Sequence, residues 1–216
     1  MKERPIIFNG EMVRAILDGR KTQTRRPVTS RNSETGAWPW GALDWTSGGQ
    51  IPYADGDAKN GGQYLHVRSR PKTMEDDGIV DRVYCRNQPG DRLYVRETFQ
   101  YWDIGGGAGV YYRATEPNRA GPWSPSIHMP KELSRIMLEI TGVRVERVQD
   151  ISEEDAREEG LSHDPCGWFV PGVPATGAKT ASEAFSQLWS SIYNAHGFGW
   201  TSNPWVWVIE FRRIGT

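Results

Sequence analysis

Three stretches of the chain alternate apolar and other residues with a period of two: Leu93, Val95, Glu97 and Phe99; Ile136, Leu138 and Ile140; and Trp205, Trp207, Ile209 and Phe211. Period two puts each set on one face of a strand. Helical spacing marks fewer segments. Met12, Val13, Ile16 and Leu17 form one apolar face, and Phe185, Leu188, Trp189, Ile192 and Tyr193 form another. Strands therefore dominate and helices are few and short. That pattern predicts an α+β chain built on a closed or nearly closed β-barrel with peripheral helices.

Turn and cap residues divide the chain further. Pro5 to Phe8 reads as a short strand, Asn9 as the cap of the first helix and Gly19 as its left-handed stop. Residues 20 to 26 form a loop entering an extended stretch that halts at Pro27. A strand is expected near 64 to 69. Pro89-Gly90-Asp91 is a turn feeding a strand from Arg92 to Tyr101. The glycines at 105, 106, 107 and 109 suit a hairpin connection to a strand over Val110 to Ala114. Ser134 to Val148 is β-rich, with a break expected at Gly142. Ser152 caps a short helix that Gly160 ends, Ser182 opens the last helix, and Gly197 closes it. We expect one domain over 1–216, with insertions at about 29–63 and 161–180. The first insertion carries Trp38, Trp40 and Trp45, candidates for a lid.

Composition excludes several function classes. The net charge of -1 gives no global footprint for duplex DNA or an anionic membrane, so a nucleic acid would need a local patch. No run of 18 apolar residues is present, and Ile6 to Phe8 is too short for the core of a signal peptide; we expect a cytoplasmic protein with no membrane partner. Cys85 and Cys166 form no CxxC pair and read as reduced thiols. His66, His128, His163 and His196 lack metal-binding spacing, so neither a metal nor another cofactor is expected. The oligomeric state is not legible.

Two segments carry chemistry. Glu97 shares its strand face with Leu93, Val95 and Phe99, and a carboxylate there is at the strand end, ion-paired to Arg96 or a distant arginine, or functional. Lys21 and Thr24 follow the glycine-ended helix three residues apart. A neutral lysine there takes a hydroxyl proton and makes Thr24 a nucleophile; a charged one holds a carbonyl or anionic oxygen. Arg20, Arg25 and Arg26 beside them are candidate phosphate contacts, or simply a solvated basic loop.

Ile16-Leu17-Asp18-Gly19-Arg20-Lys21-Thr22-Gln23-Thr24-Arg25-Arg26 resembles the first signature of ASCH domains, and Gly90-Asp91-Arg92-Leu93-Tyr94-Val95-Arg96-Glu97 resembles the second. Trp123 to Met129, Ser134-Arg135, Asp150 to Gly160 and Asn203 to Trp207 are similar to the longer, phage- and prophage-type members. The resemblance implies a PUA-like β-barrel associated with RNA or nucleoside bases. A compact subgroup hydrolyses N4-acetylcytidine. Its implied roles fall on Lys21 as proton acceptor, Thr24 as nucleophile and Glu97 as proton donor. This chain is about twice as long as those enzymes. Three functions follow: an amidohydrolase acting on an acylated pyrimidine nucleoside, a non-catalytic module binding single-stranded RNA or a modified base, or a ribonuclease.

Overall fold

A computed structural model describes residues 1–29, 64–68, 79–104, 107–170 and 177–215. Its centre is an open five-stranded sheet in the order β1-β5-β8-β11-β2, formed by Glu3–Ile7, Arg92–Arg96, Met137–Arg147, Trp205–Ile214 and Gln23–Pro27. Two-stranded ladders join β3 (Tyr64–Arg68) to β4 (Ile79–Tyr84), β6 (Phe99–Ile104) to β7 (Gly107–Tyr112), and β9 (Ser162–Asp164) to β10 (Gly167–Phe169). The chain is thus mixed α+β, mainly sheet with a few short helices. Among the described residues β1 and β2 are edges that do not pair with each other. The two edges are linked by a side chain instead: Arg26 Nη2 donates to the Ile7 carbonyl at 3.4 Å.

The long strand β11 explains why the sheet carries apolar residues on both faces. Trp207, Ile209 and Phe211 enter one core with Phe8, Leu93, Val95, Leu138 and Ile140, while Val206 and Val208 enter a second core with Phe185, Leu188 and Trp189. Sequence alternation predicted one buried face. A strand covered on both sides is apolar at successive positions, as 206 to 209 are. The expected break in the 134–148 stretch is a bulge: Glu210 pairs with Gly142, whereas Phe211 pairs with Ile140.

Helix α1 (Gly10–Leu17) lies over the first core through Val13 and Ile16. Asn9 accepts from the Met12 amide at 2.9 Å, and Gly19 has φ 75°, as the cap pattern predicts. Helix α2 (Glu153–Glu158) is capped by Ser152, which accepts from Asp155 N at 3.1 Å. Helix α3 (Ala181–Tyr193) starts earlier than the expected Ser182, because Thr180 is its cap and accepts from Glu183 N at 3.1 Å. Glu153 of α2 receives the Ala181 and Ser182 amides at 2.9 and 3.0 Å, which couples the two helices.

The expected strand from Arg92 to Tyr101 is two strands. β5 stops at Arg96 and β6 begins at Phe99 in a different ladder. Glu97 and Thr98 occupy the corner between them. Trp38, Trp40 and Trp45 lie outside the described residues, as do residues 30–63 and 171–176 of the two expected insertions.

Candidate functional site

Glu97 stands at the corner where the chain leaves the main sheet. Its side chain continues the buried face of Leu93 and Val95 and is itself 2% exposed. Burial of a carboxylate demands a counter-charge, and Arg135 supplies it as a two-pronged pair, Nε to Oε1 at 2.9 Å and Nη2 to Oε2 at 3.0 Å. The guanidinium also lies over the Tyr112 ring, 4.0 Å from its centroid, and reaches Thr115 Oγ1 at 3.2 Å. Arg96, the adjacent cation, donates to the carbonyls of Met129 and Ile127 instead.

Lys21 is wedged between α1 and α2. Its amide donates to the Ala15 carbonyl at 3.0 Å, and the next amide, Thr22 N, donates to Glu158 O at 3.0 Å. Its Nζ donates to Glu159 Oε2 at 2.7 Å and to the Glu159 carbonyl at 2.8 Å. The side chain is fully buried. Burial pushes the Lys21 ammonium below its ordinary value, and the charge and hydrogen bond of Glu159 oppose that.

Alternation along β2 sends its residues two ways. Gln23 and Arg25 face α2; Thr24, opposite Ile209, faces the first core. Thr24 Oγ1 accepts from Arg26 Nη1 at 2.7 Å. The Lys21 ammonium and Arg26 guanidinium both lie about the Phe8 ring, at 5.6 and 5.5 Å from its centroid. Arg25 is buried and bonded to Glu146, Asp155 and Glu159, with distances from 2.6 to 3.1 Å. Arg20 donates to the Gly160 carbonyl at 3.0 Å and pairs with Asp18 at 2.9 Å. The candidate phosphate contacts therefore diverge: Arg25 lies inside an ion network, while Arg20 and Arg26 are partly buried at separate places.

A cavity of about 420 Å³ adjoins this region, within the size range of small-molecule sites. Glu97 and Thr98 line it, with Arg113, the start of α1 at Asn9 and Gly10, and Leu188 and Ile192 of α3. Glu159 and Gly160 also line it. Of the three residues singled out for chemistry, Glu97 is at the wall; Lys21 reaches the wall through Glu159; Thr24 stands apart from it. Ile192, on the apolar stripe of α3, is 37% exposed and lines the cavity.

Sequence reasoning missed Glu159, Asp155 and Glu146 as site residues and quoted Arg135 only as a resemblance feature. One signal was present: Asp155 and Glu159 are four residues apart, as are Lys21 and Arg25, so a pair of acids meets a pair of cations. Among the described residues no group of three His, Cys, Asp or Glu side chains is arranged to hold a metal ion, and no helix is long and apolar enough to cross a membrane. No known protein family, curated protein or solved structure matches the chain.

Proposed function

We propose that the chain is an ASCH-type protein with a PUA-like arrangement of its sheet, and that it hydrolyses an acylated pyrimidine nucleoside such as N4-acetylcytidine. The observation that carries the reading is the buried Glu97 carboxylate at the wall of a cavity of about 420 Å³ whose wall also bears Glu159, the partner of Lys21. In this reaction the Thr24 hydroxyl attacks the acyl carbon as its proton passes to Lys21 Nζ. The carbon–nitrogen bond then breaks, and Glu97 gives a proton to the departing exocyclic nitrogen. Water then attacks the threonyl ester, its hydroxyl passing to the acyl carbon and its proton to Thr24, which releases acetic acid; the proton taken by Lys21 passes to Glu97, and all three residues are restored. Because Thr24 is bonded to Arg26 rather than to Lys21 and does not line the cavity, the reaction requires Thr24 to leave Arg26 and to reach both Lys21 and the acyl group when substrate enters.

Incubation of the protein with N4-acetylcytidine, followed for cytidine, tests the reading. Wild type should release cytidine, and Lys21→Ala, Thr24→Ala and Glu97→Gln should each abolish release while retaining the circular dichroism of the parent.

A second reading has its own observation. Arg135 donates to both oxygens of Glu97, so each already serves as a hydrogen-bond acceptor. Such a group reads an exocyclic amine, as carboxylates do on cytosine. Binding of cytidine derivatives or single-stranded RNA without cytidine release would establish this reading, and RNA cleavage would establish a ribonuclease.

A further inference from the structure

Lys21 has a second residue built around it. Nζ donates to the Glu159 carboxylate at 2.7 Å and to the carbonyl of the same residue at 2.8 Å. Two of the tetrahedral positions on this nitrogen are thereby fixed by one residue, and only one further position remains besides the bond to Cε. Backbone geometry brings the pair together. Lys21 and Glu159 form an isolated antiparallel bridge, and Gly160, with φ 92°, turns the chain immediately after Glu159. The carboxylate itself is held from behind, since Arg25 Nη1 donates to Oε1 at 3.1 Å. Arg25 is in turn anchored by Glu146 of β8 and Asp155 of α2, and Asp155 by Arg144 of β8. Glu159 lines the cavity, whereas Lys21 does not.

We infer that Glu159 is the positioning residue of Lys21: it fixes the direction of the Nζ group and connects that buried nitrogen to the cavity. The inference deepens the hydrolase reading and rests on it for its chemical meaning. Lys21 must shed its proton to act as a base. The charged groups facing it are Glu159 from the end of α2 and Arg25 and Arg26 from β2; the two arginines and burial favour the neutral amine, and Glu159 favours the ammonium. Burial is the largest of these influences, and Glu159 is the charged group among them that holds the proton on Lys21.

The test needs no substrate in its first arm. The chain has six lysines, few enough for their CεH₂ signals to be followed by NMR through a pH titration, with Lys21→Arg identifying the Lys21 signal. In Glu159→Gln the Lys21 midpoint should fall by roughly one to three pH units, the usual effect of removing an adjacent opposite charge. Should that variant fail to fold, Glu159→Asp, which withdraws the carboxylate but keeps its charge, should lower the midpoint by less and in the same direction. A Lys21 midpoint equal to wild type in the folded variant overturns the inference.

The second arm reads N4-acetylcytidine hydrolysis against pH. The rising limb of kcat should move with the NMR midpoint, and the plateau should drop by roughly ten- to a hundredfold through misplacement of the base. An unchanged plateau overturns the positioning role. Absence of hydrolysis by wild type at every pH removes the hydrolase reading, while the titration still decides whether Glu159 governs Lys21.

Discussion

Glu97 shows how much a single buried charge depends on its partner. The pair with Arg135 is 2% exposed on the acidic side and 25% on the basic side. Truncating the cation leaves a carboxylate with nothing to neutralise it, an error that costs about 3 kcal/mol or more in proteins generally. Arg135→Ala should accordingly lower the unfolding free energy in urea by about that amount. A change under about 0.5 kcal/mol, the range of ordinary surface substitutions, would mean that water or another group replaces the guanidinium. The two cysteines make a simpler contrast. Cys85 is buried, and burial pushes its thiol up to about 11, while Cys166 is exposed. At pH 8 a thiol reagent should modify Cys166 quickly and Cys85 only after denaturation, giving one reactive thiol per native chain and two in guanidinium. Rapid reaction of both in the native protein would contradict the burial of Cys85.

At the scale of elements, glycines separate tolerant joints from intolerant ones. Gly160 has φ 92°, and a Cβ there would stand 2.8 Å from Ala15 Cβ and 3.0 Å from Lys21 Cβ. Both neighbours are fixed, one by α1 and the other by its buried ion pair. Gly160→Ala should cost roughly 2–3 kcal/mol from backbone strain and crowding together. Gly142, at the bulge in β8, meets chiefly the Glu210 side chain, whose end can swing away. Gly142→Ala should therefore be milder, and thermal unfolding of the two variants side by side checks the order. Cap signals in the sequence located these elements because they act over three or four residues: Asn9, Ser152 and Gly19 serve as the residue types predict. The 97–98 corner was not legible, because alternation continues through it. Glu97 and Phe99 keep the period of Leu93 and Val95 while the pairing partner changes from β8 to β7. The site was half legible for the same reason. Glu97 and Lys21 stood out locally, but Glu159 and Arg135 lie 138 and 38 residues from their partners, and such separations leave no local period to read.

For the whole molecule the ion network sets the response to acid. Asp155 is partly buried, which alone would raise its carboxyl; the Gln23 hydrogen bond and the charges of Arg144 and Arg25 outweigh that and hold it below the usual range. Glu153 is likewise held low, chiefly by hydrogen bonding to Ser182 at the start of α3. A carboxyl lowered in the folded state binds fewer protons there than in the unfolded chain. Its contribution is complete above the unfolded value and is lost as pH falls through the folded one. The protein should thus hold a stability plateau near neutrality and lose stability progressively below about pH 4, where free aspartate and glutamate titrate. In Asp155→Asn the plateau should be lower and the acid slope shallower, as followed by the urea midpoint between pH 7 and pH 3. An unchanged slope would locate the acid sensitivity elsewhere.

The open seam of the sheet has a bearing on how copies of this chain behave in a crowded solution. An exposed edge strand invites a neighbouring molecule to add its own strand, the first step toward polymers. Here each edge is spoiled for that purpose. Pro5, in the middle of β1, has no N–H to offer, and β2 ends on Pro27 after two arginines, one of which spends a guanidinium nitrogen on Ile7 of the opposite edge. Among the described residues, a sheet that stops short of closing thus interrupts the hydrogen-bonding row on each lip, which works against strand-by-strand polymerisation from either one.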